Sequence, residues 1–138
     1  MDLLISLVPL AAIVALIAAA LLARGVLSAP TGNERMVAIS DAVRQGAAAY
    51  MNRQYRTITI VAVIITAIFA VVAFATNDAV ASQMWWWSTA GFVVGALFSA
   101  ISGYIGMNVA VRANVRVAQA ARSGLAGALR IAFNGGAV

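Results

Sequence analysis

The chain has 138 residues, of which 64% are apolar and 9% charged, and its net charge is +5. In a typical soluble domain about a quarter of the residues are charged, so this composition favours a protein that lies in a lipid bilayer. Cysteine and histidine are both absent. Their absence excludes a disulfide framework, thiolate metal sites and the commonest general base from this chain.

Three long uncharged runs predict membrane spans. They comprise residues 3–23, 57–77 and 79–111, with the third span itself placed at 85–111. A bilayer core about 30 Å thick needs roughly 20 helical residues, and a lone strand in lipid would leave its backbone polar groups unpaired. The sequence therefore predicts an all-α fold of polytopic transmembrane helices, with three spans plus the start of a fourth. We expect residues 1–138 to form one membrane segment within a larger multi-helix bundle.

The first span could be mistaken for a cleaved signal peptide. Its leading residues carry the acidic Asp2 and no basic side chain, and Arg24 stands where a small-residue cleavage site should lie. Both features favour a retained span.

A break follows the first span at residues 28–33, where Pro30 and Gly32 predict a turn. Thr31 and Glu34 have the spacing of a capping box, so the next helix should begin close to Asn33.

Residues 34–56 have an apolar face at helical spacing and polar residues elsewhere, which predicts a helical extension outside the membrane. This stretch runs without proline into the second span, so the simplest interpretation is one long helix. Gly46 is its weak point, costing about 1 kcal/mol relative to alanine. The apolar face comprises Met36, Ile39, Val43, Ala47, Tyr50 and Met51.

Asn77 and Asp78 mark the turn before the third span, and Trp85-Trp86-Trp87 follows soon after. Tryptophans beside a span entrance are typical of an aromatic belt at the headgroup level. Stacking of this cluster on a ligand is the alternative.

The third span carries small residues at every fourth position. Such a ridge lets another helix backbone approach closely, because van der Waals packing drives helix association in lipid. We expect this helix to be surrounded by other helices. The packing residues are Gly91, Gly95, Ser99 and Gly103.

Beyond Val111 the helix should continue towards Gly124, and a further helix is expected from Leu125. Residues 112–138 would then comprise a cytoplasmic extension and the start of the next helix. The chain stops where a fourth span would enter the membrane, which suggests truncation.

The nine arginines predict the topology. Basic flanks stay on the cytoplasmic side, so the N-terminus and the Asp78 turn should lie outside. A polyanion-binding surface is the alternative explanation of this charge. The arginines lie at positions 24, 35, 44, 53 and 56 between spans one and two, and at 112, 116, 122 and 130 after span three.

Catalytic chemistry has few side chains available. Glu34 and Asp41 could share a helix face but have no companions for a phosphate–Mg²⁺ site, so capping and surface solvation are favoured. No acid or base lies within the spans, which indicates that they are not an ion-conduction path. Two arginine pairs could bind phosphate or anionic lipid, Arg53 with Arg56 and Arg112 with Arg116. Pairing with cytoplasmic loops elsewhere in a longer protein is favoured for both pairs.

Four segments give the sequence a specific resemblance. Residues 46–58 (GAAAYMNRQYRTI) and 95–116 (ending GYIGMNVAVRANVR) resemble conserved stretches of membrane-bound, proton- or sodium-translocating pyrophosphatases. Residues 31–36 and 128–138 are similar to the entries of that family's second and fourth helices. Order and spacing agree from Gly32 to Val138.

The resemblance implies a pump that hydrolyses inorganic pyrophosphate with Mg²⁺ at the cytoplasmic side and moves H⁺ (or Na⁺) outward. It implies a homodimer, with an inner ring of helices that binds substrate and an outer ring. The family's substrate-binding aspartates and lysines have no counterpart here, since this chain contains no lysine. No catalytic, cofactor-binding or metal residue can therefore be transferred to it.

By the same resemblance, this chain would be the N-terminal outer scaffold of such a pump, inactive alone. Its partners would be membrane lipid, the remaining helices of the same protein and pyrophosphate, with no nucleic acid. A bacterial or archaeal plasma membrane is the expected location. Two alternatives remain: a complete three-span protein acting as a structural or assembly partner, and a membrane-anchored polyanion binder.

Overall fold

The structure, a computed structural model, describes the backbone of residues 2–138 and the side chains of residues 7–138. Over these residues it contains only helices: α1 (Asp2–Leu27), α2 (Glu34–Ala75), α3 (Ala79–Ala121) and α4 (Leu125–Gly136). The predicted all-α fold is confirmed. Helix α2 continues through Gly46 without a break, and a separate helix does begin at Leu125.

Helices α1, α2 and α3 are each long and apolar enough to cross a membrane. Their large apolar side chains are mostly exposed, for example Leu16 at 71%, Phe74 at 78% and Phe98 at 70%. Soluble monomers rarely leave such large contiguous apolar areas in water. The helices therefore present surfaces suited to lipid or to further helices.

Short polar side chains start two of the helices. Asn33 Oδ1 accepts a hydrogen bond from the backbone N–H of Met36 at 3.0 Å, which makes Asn33 the N-cap of α2. The helix begins where the sequence predicts, but its capping side chain is Asn33 and not Thr31. Asp78 Oδ1 likewise accepts from the N–H of Ala81 at 2.8 Å and caps α3.

The turn between α1 and α2 depends on Gly32, whose φ is +86°. This left-handed conformation strains residues that carry a Cβ. A Cβ at this position would also lie 2.6 Å from Met36 Sδ, a contact that the flexible methionine side chain can relieve. The backbone conformation is therefore the reason for glycine here.

The chain divides into two compact units, each described here by itself. The first comprises the described residues up to Gly46 together with Ile105–Val138. Its buried centre consists of Val26, Val109 and Ala113. Helices α1 and α4 are in contact there, with Ala23, Ile131 and Val138 packed around the centre.

The second unit, Ala47–Tyr104, pairs the apolar parts of α2 and α3. Phe69 makes edge contacts with Trp85 and Phe92, with ring centroids 5.8 and 5.7 Å apart. Phe74 contacts Trp86 in the same manner at 4.9 Å. Such ring pairs add about 0.5–1.5 kcal/mol each beyond area burial, so two of the three tryptophans help to join the helices.

Candidate functional site

The Arg116 side chain makes three hydrogen bonds to backbone carbonyls in the first unit. Its Nε donates to the Ala29 carbonyl at 3.0 Å and its Nη2 to the Leu27 carbonyl at 2.9 Å. A third bond runs from Nη1 to the Arg112 carbonyl at 2.6 Å. The last carbonyls of a helix have no partner within it and carry partial negative charge. The guanidinium on α3 therefore caps the C-terminus of α1.

Arg116 is partly buried and lies close to a second positive charge. Arg116 follows Val111, the last residue of the third apolar run, by five positions and lies outside that run. Burial lowers the pKa of the Arg116 guanidinium, and the nearby charge of Arg112 lowers it further. Guanidinium groups keep their proton in proteins, so both positive charges persist at this end of α3.

A cavity of about 280 Å³ opens beside this cap. Three guanidinium groups and one carboxylate line it, and Arg44 Nη1 and Asp41 Oδ1 form an ion pair at 3.0 Å. Among the residues that the structure describes, the Arg112 side chain has no hydrogen-bond or ion-pair partner. The lining residues are Thr31, Val37, Ser40, Asp41, Arg44, Arg112, Val115 and Arg116.

The predicted small-residue ridge lies on α3 in the second unit. Tyr55 Oη donates to the Ala100 carbonyl at 2.7 Å, and a Cβ at Gly103 would lie 3.2 Å from that hydroxyl oxygen. Gly103 thus leaves room for Tyr55 of α2.

The remaining ridge positions have no such neighbour in the structure. A Cβ at Gly91 or Gly95 would meet no atom within 4 Å. Ser99 borders an apolar groove of about 530 Å³ between α2 and α3. Packing of these three residues against another helix stays a prediction.

The acids do not assemble into a catalytic constellation. Asp41 pairs with Arg44, Asp78 caps α3, and Glu34 lies in the first turn of α2. Among the side chains of residues 7–138, no three of His, Cys, Asp and Glu come together in a way that could hold a metal ion. These acids therefore do not fit a Mg²⁺ site.

Two contacts go beyond what the sequence indicated. For Arg116 the sequence favours pairing with loops elsewhere in a longer protein. In the structure its guanidinium donates hydrogen bonds to backbone carbonyls of this chain. Every residue carries a backbone carbonyl, so the pattern of side chains does not show which carbonyl accepts a bond. The Tyr55 bond was equally hidden, although Tyr55 belongs to the motif at residues 46–58.

Comparison with known proteins gives consistent matches. The family model described as inorganic H⁺ pyrophosphatase matches residues 13–138. The K⁺-insensitive pyrophosphate-energized proton pump of Methanosarcina mazei is 46% identical over 138 residues, which is 100% of this chain and 19% of that protein. A second pump of the same description from Moorella thermoacetica is 45% identical over 131 residues, covering 95% of this chain and 18% of the relative.

A relative with a different transported ion matches nearly as well. The putative K⁺-stimulated pyrophosphate-energized sodium pump of Clostridium tetani is 42% identical over 129 residues, covering 94% of this chain and 18% of that protein. No solved structure matches the chain significantly. The chain spans about a fifth of the length of these curated relatives. With a family model matched over most of its residues, this integral membrane chain belongs to the inorganic H⁺ pyrophosphatase family.

Proposed function

We propose that the chain is part of a pump that hydrolyses inorganic pyrophosphate and uses the free energy to move H⁺ (or Na⁺) out across a membrane. The observation that carries this proposal is the 46% identity to a pyrophosphate-energized proton pump over the whole chain. The alternative of a three-span assembly partner without enzyme activity has no comparable support. Relatives named as proton pumps and as a sodium pump are similarly close, and the proton is our first choice.

Within this pump, the chain would be outer scaffold. The apolar runs 57–77 and 79–111 contain no charged side chain, whereas ion pathways through a bilayer usually need ionisable groups. Exposed apolar helices and a ridge of small residues suit contact with lipid and with further helices of the same protein. Pyrophosphate and Mg²⁺ would then be bound by other parts of the longer protein.

The assembly and location follow from the same proposal. We infer a homodimer in a bacterial or archaeal plasma membrane, with no nucleic-acid partner. The arginines on either side of the second and third spans support a cytoplasmic position for residues 24–56 and 112–138, with the N-terminus outside.

The test uses the full-length protein that carries this chain, reconstituted into sealed vesicles. We expect pyrophosphate with Mg²⁺ to release phosphate and to acidify the vesicle lumen, and a protonophore to abolish the pH gradient without stopping hydrolysis. Sodium uptake that survives the protonophore would identify a sodium pump instead. Hydrolysis without transport of either ion would contradict the proposal.

The scaffold role has its own test. Residues 1–138 purified alone should release no phosphate from pyrophosphate in the presence of Mg²⁺, because they lack a carboxylate cluster to bind the substrate metal. Measurable Mg²⁺-dependent release would show that the chemistry resides in this segment.

A further inference from the structure

We infer that the arginine-lined cavity between the start of α2 and the end of α3 binds a phosphate-type oxyanion, with Arg112 as its main ligand. The proposal concerns only the first unit and does not rest on pyrophosphate hydrolysis. Charge, donor chemistry and position each support it.

The net positive charge of the cavity lining favours an anionic ligand. Its lining carries three guanidinium groups and one carboxylate, and that carboxylate is already paired with Arg44. Arg116 bonds to backbone carbonyl oxygens, whose partial negative charge offsets its positive charge only in part. The Arg112 side chain has no hydrogen bond or ion pair with the described residues. Two positive charges therefore face one small space, and neither is paired with a carboxylate of the described residues.

The donors suit phosphate oxygens. A guanidinium carries five N–H donors in a planar fork that matches phosphate geometry. Arg116 uses three N–H groups on backbone carbonyls, and Arg112 has its fork available. The hydroxyl-bearing Thr31 and Ser40 line the same cavity, so neutral donors stand beside the charged ones. Its volume of about 280 Å³ is ample for one phosphate group.

The position of Arg112 fits the level of lipid headgroups. It directly follows Val111, the last residue of the third apolar run. Basic pockets between membrane helices on the cytoplasmic side are typical sites for anionic lipid headgroups. The phosphate group could thus come from a lipid such as phosphatidylglycerol or from inorganic phosphate in solution, and one experiment separates these sources.

The experiment compares the full-length protein with Arg112→Gln, Arg112→Lys and Arg130→Gln. Arg130→Gln removes the same charge from an exposed position on α4 that does not line the cavity. Each protein is prepared in nanodiscs of mixed phosphatidylglycerol and phosphatidylcholine, and the retained lipid is counted by native mass spectrometry. Calorimetric titration with inorganic phosphate in phosphate-free detergent forms the second arm.

In the lipid arm, we expect Arg112→Gln to lose roughly tenfold in affinity for phosphatidylglycerol, as for one charge-assisted hydrogen bond. Arg130→Gln should match the unsubstituted protein, and Arg112→Lys should keep part of the binding, because it keeps the charge but loses the planar fork. If lipid retention does not change but Arg112→Gln alone loses one phosphate-binding event from the titration, the site takes a free oxyanion and the proposal still stands.

Two results would overturn the proposal. Equal losses in Arg112→Gln and Arg130→Gln would indicate unspecific charge attraction, and unchanged binding in both arms would leave the cavity without a ligand. Thermal stability is measured for every variant and should not change in Arg112→Gln, since the Arg112 side chain makes no hydrogen bond or ion pair with the described residues. A fall in binding that Arg112→Lys shares, together with a lower melting temperature, would likewise count against a site.

Discussion

Arg116 stabilises the first unit through backbone acceptors at the C-terminus of α1 and in the turn that follows it. Its bonds to Leu27 and Ala29 hold the end of α1 against α3 at 2.9 and 3.0 Å. Because these are charge-assisted bonds to carbonyls at a helix C-terminus, they are worth more than an ordinary surface contact.

We expect Arg116→Gln to lower the free energy of unfolding by about 1.5–3 kcal/mol, the range for a hydrogen bond to a charged group. Reversible SDS denaturation of the full-length protein in mixed micelles would measure the change.

Arg122→Gln is the matched control for this prediction. Arg122 is exposed, and its Nη1 lies 3.4 Å from Gln119 Oε1, which is a long contact. Its loss should change the free energy of unfolding by less than about 0.5 kcal/mol. Similar destabilisation by both substitutions would show that the cap on α1 contributes nothing specific.

At the scale of elements, α4 packs through a glycine. A Cβ at Gly135 would lie 2.9 Å from the Ala113 Cβ of α3 and 3.9 Å from Val26 Cγ1 of α1. Three helices thus meet at one position that has no side chain.

Gly135→Ala should therefore destabilise the first unit, because overpacking typically costs about 1–3 kcal/mol and outweighs a helix-propensity gain of about 1 kcal/mol. Gly127→Ala in the same helix meets no atom within 4 Å, so it should be neutral or stabilising. The same denaturation assay compares the two variants. Equal stability of Gly135→Ala and Gly127→Ala would mean that α4 does not lie against α3 as described.

Helix positions were largely predictable, whereas the contacts between helices were not. Pro30 and Gly32 marked the first turn and Asn77 with Asp78 the second, because breakers and caps act locally along the chain. The cap of α2 was assigned to Thr31 although Asn33 makes the bond, since several residues near a helix start can accept it. The partners of Tyr55 and Arg116 lie on other helices, so no local pattern identifies them.

On the scale of the whole molecule, the three long helices expose a large apolar surface. Helices α1, α2 and α3 each qualify as spans, and almost none of the residues in their most apolar windows is buried. The chain spans about a fifth of its curated relatives. We propose that lipid and further helices of a longer protein cover this surface.

Cysteine labelling tests that topology directly, because this chain contains no cysteine of its own. In full-length protein without other cysteines, we expect Asn77→Cys to react with a membrane-impermeant maleimide added to intact cells. Ser123→Cys should react only after the membrane is permeabilised. The physical reason is the placement of basic residues, since arginines follow the third span while the turn before it carries only Asp78. Both positions are exposed in the structure, so failure to label would not reflect burial within this chain. The opposite pattern, in which Ser123→Cys but not Asn77→Cys is labelled in intact cells, would place residues 112–138 outside. The chain would then have the reverse of the proposed orientation in the membrane.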